Sequence, residues 1–188
     1  LLFGINFNLF HLLLLGKVKE VFKSEEAKVY LGIVAASVLA IAVNIVGQTQ
    51  SFSRALRDAF FQVSSIITTT GFATVDYNFW PEFSKHTLVL LMVFGACAGS
   101  TGGGMKISRV IILVKSLFAE IKQIITPKAV VTVRLDGKAV NKQTLNSTRV
   151  YAAAYLILIC VFTLVLSLDG LDLTTNFTAV LACFNNIG

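Results

Sequence analysis

Two long apolar runs, Val29–Gly47 and Val150–Leu168, constrain this chain more than any other feature. Each approaches the roughly 20 residues a helix needs to cross a bilayer. In hydrocarbon every backbone N–H and C=O must be satisfied within the protein, so such runs commit to helices. The composition agrees: 55% of residues are hydrophobic and 14% charged, the profile of a membrane protein. Gly32, Ala35, Ala36, Ser37, Ala40 and Ala42 give the first run small faces for close helix packing, and Asn44 needs a polar partner.

The sequence between the runs is more unusual. Arg54–Ile67 reads as an apolar helix too short to span, with Ser53 as its N-cap, and Thr68-Thr69-Thr70-Gly71-Phe72 follows it. A segment that enters a membrane and returns must be buried in protein or line a water-filled path. Consecutive threonines offer hydroxyl and carbonyl oxygens, and Gly71 permits backbone angles closed to other residues. A ring of such oxygens can replace the water around a cation. The C-terminal end of the preceding helix favours positive charge as well. Asp58 is expected to pair with Arg54, one helical turn earlier.

One loop cannot encircle an ion, and the C-terminus supplies a second. Thr175–Phe184 is another short apolar helix, ending in Asn185-Asn186-Ile187-Gly188. Aligning Gly188 with Gly71, an offset of 117 residues, sets Asn186 opposite Thr69 and Ile187 opposite Thr70. The long apolar runs that precede these helices fall at a similar offset, so the pattern is a repeat of membrane helix, pore helix and filter loop.

The second span in chain order starts at Thr87–Phe94 and is interrupted by ten small residues, Gly95–Gly104, five of them glycine. Such a stretch does not hold a continuous helix. A break near mid-depth implies a cavity and a mobile intramembrane loop that obstructs the pore until moved. Lys106 follows directly. It repels cations in a closed state, anchors the loop to a carbonyl or carboxylate, or snorkels to the cytoplasm. Ile107–Ile125 resumes as an amphipathic helix. Val130–Leu135 and Lys138–Val140 form a hairpin around Asp136-Gly137. That hairpin is either a contact for a soluble regulator or a surface connector.

Charge sets the topology. Lys17, Lys19, Lys23 and Lys28 precede the first run, and Lys106, Arg109, Lys115, Lys122, Lys128, Arg134, Lys138, Lys142 and Arg149 lie between the second and third spans. Only Arg54, Arg57 and Lys85 lie on the opposite side. The positive-inside rule places the two large groups in the cytoplasm and the filter mouths outward. Trp80-Pro81 suits the outer interface, and Asp169 and Asp172 cap a helix or concentrate cations. No basic face interleaved with aromatics suggests nucleic acid. Cys97, Cys160 and Cys183 have no paired spacing and read as buried free thiols. His11 and His86 lie far apart, and no acid, base or metal constellation marks an enzyme. Leu1 opens inside an apolar run and Gly188 ends inside a filter loop, so a piece of a longer chain is expected. Leu1–Leu15 reads as the end of a membrane helix.

The Thr-Thr-Thr-Gly-Phe run, the Ala-Gly-Ser-Thr-Gly-Gly-Gly-Met-Lys segment and the Asn-Asn-Ile-Gly terminus resemble the Trk/Ktr/HKT superfamily of potassium transporters, nearest its bacterial Trk-type uptake subunits. The resemblance covers essentially the whole chain. It implies an all-α integral membrane fold of repeated helix–re-entrant pore helix–helix units, with a small cytoplasmic β-hairpin. Residues 1–28 would end the second of four repeats and connect it in the cytoplasm. Residues 29–125 would form the third, 126–149 a connector with the hairpin, and 150–188 the first half of the fourth. By the same resemblance Thr69, Thr70, Gly71, Asn186, Ile187 and Gly188 supply oxygens to potassium. Gly95, Gly99, Ser100, Thr101, Gly102, Gly103, Gly104 and Lys106 belong to the gating loop. It further implies a homodimer in the bacterial inner membrane and a cytoplasmic nucleotide-binding regulatory partner. NAD or ATP is expected on that partner only, and this chain carries no organic cofactor. The alternatives are a sodium-permeable or sodium-coupled transporter of the superfamily, or a non-transporting sensor that keeps the fold.

Overall fold

The computed structural model describes residues 1–49, 51–127 and 131–188. Eight α-helices dominate: α1 (Phe7–Leu14), α2 (Val18–Val21), α3 (Glu25–Thr49), α4 (Phe52–Ile67), α5 (Glu82–Val93), α6 (Ile107–Ile125), α7 (Lys142–Leu166) and α8 (Leu173–Phe184). A two-stranded hairpin, β1 (Arg134–Leu135) and β2 (Lys138–Ala139), joins α6 to α7. Among the described residues, two helices are long and apolar enough to cross a membrane: α3, and α7 with the turn that follows it.

Several helices run further than apolarity alone indicates, α3 and α7 with polar side-chain caps. α3 begins at Glu25, the start that the polar Ser24-Glu25-Glu26 run favours, and Ser24 Oγ accepts from Ala27 N at 3.3 Å. α7 begins at Lys142 rather than near Val150, capped by Asn141 Oδ1 on Thr144 N at 2.6 Å. α5 starts at Glu82 rather than Thr87, directly after Pro81. α4 starts at Phe52, so the cap position belongs to Ser51 and not Ser53. The extended backbone of Ser51 supplies its carbonyl to Ala55 N at 3.0 Å, with no side-chain cap. Asp58 does not pair with Arg54; its buried carboxylate lies 3.5 Å from Arg57 Nε. Leu1–Leu15 is not one helix. A 3-10 turn over Leu2–Gly4 ends at extended Ile5, and Asn6 caps α1 through Asn8 N at 2.9 Å.

The main core gathers Tyr30, Ile41 and Ile45 of α3, Val63 and Ile67 of α4, Leu88 and Leu91 of α5, and Cys97 and Ile107. α3 and α4 share the most extensive contact. Trp80 is 8% exposed within this core. The polar partner Asn44 requires is Ser84, whose Oγ donates to Asn44 Oδ1 at 2.7 Å. A second cluster joins Met105 to Tyr155 and Ile159 of α7 and Val180 and Leu181 of α8. Much of α7 is uncovered: Leu156, Ile157, Leu164 and Val165 are exposed. Such a face is stable only against hydrocarbon or more protein. Cys160 and Cys183 are exposed, so only Cys97 is the buried thiol expected of all three.

The hairpin is shorter than its β-branched run. Pairing is confined to β1 and β2, with Val140 N donating to Val133 O at 2.9 Å; Val130, like Lys128, lies outside the described residues. Positive φ at both Asp136 (50°) and Gly137 (75°) gives the type I′ turn that an Asp-Gly pair favours. The turn docks on the first turn of α3. Asp136 Oδ1 accepts from Glu25 N at 2.6 Å, while Glu25 Oε2 takes Asp136 N at 3.3 Å and Lys115 Nζ at 2.6 Å. Asp136→Ala removes a helix-capping acceptor worth about 1 kcal/mol. Amide exchange over Glu25–Lys28 should then quicken roughly fivefold, and unchanged exchange would show that the cap contributes nothing.

Candidate functional site

The two threonine- and asparagine-bearing loops follow one backbone path. α4 ends with Thr68 at φ −90°, ψ 2°, and α8 with Asn185 at φ −93°, ψ 2°. The next residues are left-handed, Thr69 at φ 54° and Asn186 at φ 57°. Each helix closes with the same bond pair. Thr70 N donates to Ser65 O at 2.8 Å and Thr69 N to Ile66 O at 3.0 Å; Ile187 N donates to Ala182 O at 2.8 Å and Asn186 N to Cys183 O at 3.2 Å. This is the Schellman closure, in which the left-handed site usually holds glycine. Gly71 (φ 76°) and Gly188 (φ 103°) then take corresponding positive φ values. Every element of the match carries the offset of 117 residues seen in sequence.

Thr69 is the costly position, since a β-branched residue at positive φ is an outlier and left-handed backbone costs about 1–2 kcal/mol. Its hydroxyl offsets part of that cost by accepting Gly103 N at 2.9 Å. The other hydroxyls are also engaged: Thr68 Oγ1 donates to Ser64 O at 2.6 Å and lies 2.7 Å from Thr70 Oγ1. Ser65 Oγ donates to Phe72 O at 2.6 Å and Gln62 Nε2 to Val75 O at 3.2 Å, which tie the outgoing chain back to α4. In the second loop, buried Asn185 accepts Tyr155 Oη–H at 2.9 Å on Oδ1. Asp172 caps α8 through Thr175 N at 3.1 Å; its bonds to the Thr175 side chain and amide hold this exposed carboxyl below the usual range.

The loops touch one another. A Cβ on Gly71 would strike the Ile187 carbonyl, lying 3.1 Å from Ile187 C and 3.4 Å from Gly188 Cα. Thr69–Gly71 and Asn186–Gly188 are therefore brought together as two adjacent segments. A cleft of 410 Å³ beside them is lined by Gln62, Phe72, Lys85 and Thr178, among others.

The interrupted span passes against both loops. Between α5 and α6 the chain is non-helical, and its ends meet in a neck. There Gly95 N donates to Met105 O at 2.7 Å, Ile107 N to Ala96 O at 3.2 Å, and Phe94 and Met105 form a parallel bridge. Gly103 packs on Asn185: a Cβ there would strike the Asn185 carbonyl and lie 3.6 Å from Asn186 Cβ. At Gly102 a Cβ would lie 2.7 Å from Ala96 Cβ and 3.6 Å from Thr68 O. Lys106 Nζ donates to Gly102 O, which of the readings for this lysine is the loop anchor. Gly99, Ser100 and Thr101 make their hydrogen bonds away from the two capping loops. Gly99 O accepts Phe7 N at 3.1 Å, Ser100 Oγ donates to Cys97 O at 2.5 Å, and Thr101 Oγ1 reaches Phe3 O at 3.5 Å.

Glu26 is the residue of this site that sequence reading passes over as a helix start. It is 7% exposed, and its Oε1 accepts Ala98 N at 2.6 Å and Ser108 N at 3.0 Å. It thereby sets the loop against the first turns of α3. No local pattern names partners 72 and 82 residues away. Among the described residues, no group of three or more His, Cys, Asp or Glu side chains is placed to hold a metal ion.

Residues 11–188 match the family model described as TrkH: Cation transport protein. The chain belongs to the TrkH family. All of it aligns with the Trk system potassium uptake protein TrkH of Escherichia coli K12, at 33% identity and over 40% of that protein. Against the Trk system potassium uptake protein TrkG of the same strain it is 35% identical over 39%. Its fold superimposes on the crystal structure of the potassium transporter TrkH from Vibrio parahaemolyticus with a TM-score of 0.89, at 32% identity and over 41% of that chain. The chain spans about two fifths of the length of the curated relatives it matches. Membership of the TrkH family makes it part of an integral membrane protein.

Proposed function

We propose that this chain supplies two of the filter segments and the gate of a potassium-uptake pore. The observation that carries the reading is the shared backbone path of Thr68–Gly71 and Asn185–Gly188, at a constant offset and in mutual contact. Thr69, Thr70, Gly71, Asn186, Ile187 and Gly188 contribute oxygens to dehydrated potassium, with α4 and α8 directing their negative ends toward it. Asparagine and isoleucine in one loop and threonines in the other are compatible, because carbonyl coordination tolerates different side chains. The segment Gly95–Lys106 is the gate: Gly102 and Gly103 lie against the filter segments and Lys106 anchors the turn. No bond is made or broken. The remaining filter segments come from the rest of the protein, which assembles as a homodimer in the bacterial inner membrane with its filter mouths outward. A cytoplasmic nucleotide-binding subunit regulates it, and the docked hairpin is a natural contact for that subunit.

The test is rubidium uptake by the full-length parent protein, expressed with its regulator in cells lacking other potassium uptake. Saturable uptake that potassium competes for and sodium does not is the expected result. A well-expressed, correctly assembled protein that moves no rubidium would replace transport with a sensing role.

A further inference from the structure

We infer that Glu26 is the positioning residue that holds the glycine-rich segment against the filter. A single oxygen, Glu26 Oε1, takes the amides of Ala98 and Ser108. These amides lie on opposite sides of the segment that includes Gly99–Gly104. Ser108 N is also one of the first-turn amides of α6, which have no partner within their own helix and form its positive end. One carboxylate therefore caps α6 and pins the descending arm of the loop in the same act. Hydrogen bonds to a charged acceptor are stronger than neutral ones. The contact at the tip, Gly103 N to Thr69 Oγ1, is a neutral one. The anchorage is thus strongest at Glu26 and weaker at the tip, so the tip can leave the filter while the base stays held. Glu25, next in sequence, faces other partners, the hairpin turn and Lys115. The two adjacent carboxylates therefore have separate roles. This inference rests on the gate reading only for its effect on flux; the position of the loop can be measured apart from it.

Cys97 is the reporter. It lies in the loop, is fully buried, and donates its amide to Gly4 O at 2.9 Å. In the full-length protein, with every other cysteine replaced by serine, a charged methanethiosulfonate reagent is applied from the cytoplasmic side of inverted membrane vesicles. Rubidium flux is read in parallel without the regulator. Glu26→Ala should raise the modification rate of Cys97 at least roughly tenfold, the factor equivalent to about 1.4 kcal/mol and the low end of a hydrogen bond to a charged group. Glu26→Gln keeps the oxygen that both amides use but not its charge, and should fall between wild type and Glu26→Ala. Glu26→Asp keeps the charge but draws the oxygen back by a methylene, and should behave like alanine. Glu25→Ala should leave Cys97 protected. Unchanged Cys97 protection in both Glu26→Ala and Glu26→Asp overturns the inference, as does equal exposure in Glu26→Gln. If Glu26→Ala fails to assemble, the contrast between aspartate and glutamine decides. Exposure of Cys97 with no rise in regulator-free flux supports the positioning role and refutes the gate.

Discussion

Gly71→Ser is expected to lower rubidium uptake at least roughly tenfold and to let sodium compete. Two costs act together. The backbone stands at φ 76°, where an added Cβ costs about 1–2 kcal/mol, and about 1.4 kcal/mol is already a factor of ten. The new Cβ would also strike the Ile187 carbonyl, so the strain passes into the adjoining Asn185–Gly188 loop. Selectivity among ions depends on the number and placement of coordinating oxygens, so a displaced Ile187 carbonyl should impair discrimination as well as rate. The measurement is rubidium uptake with and without sodium, at matched amounts of protein in the membrane. Uptake and selectivity identical to wild type would place the ion path away from Gly71.

Gly103→Ala tests the gate from the opposite side. Its Cβ would meet the Asn185 carbonyl, with Asn185 C at 3.0 Å. These are backbone atoms at the end of α8, held by the helix-closing bonds of Asn185, Asn186 and Ile187 and by Tyr155 on the Asn185 side chain. The loop therefore yields before the helix end does. Retreat breaks the bond from Gly103 N to Thr69 Oγ1, a net loss of about 1 kcal/mol. Regulator-free rubidium flux should rise roughly fivefold or more with selectivity retained, since the filter carbonyls stay in place. A fall in flux with lost selectivity would mean instead that α8 moved and the loop held.

Several parts of this molecule were legible as sequence. The two long runs could only be helices once placed in hydrocarbon. The threonine and asparagine loops were visible through their common offset and terminal glycines, and Asp136-Gly137 specified its turn, because left-handed backbone selects a narrow set of residues. The glycine-rich segment was recognisable as a break for the same reason. Helix starts were misplaced where polar residues precede an apolar run, as at Glu82 and Lys142, because hydropathy does not register hydrogen bonding.

Other features were decided by tertiary structure alone. Thr69, a β-branched residue, occupies the left-handed site that Gly71 would suit, and the amide of Gly103 helps it to stay there. Asp58 lies against Arg57 rather than Arg54, though Arg54 stands one helical turn away. Gly99 and Thr101 bond the N-terminal segment while Gly102 and Gly103 lie against the Thr68–Gly71 and Asn185–Gly188 loops. Glu26 reads as an ordinary first-turn acid until its oxygen is seen between two amides far along the chain. Periodicity and backbone permissiveness are local properties, so the sequence by itself determined the helices, the breaks and the paired loops. Which amide meets which oxygen depends on the packing of α3, α4 and α6 together, and only the folded chain sets those distances.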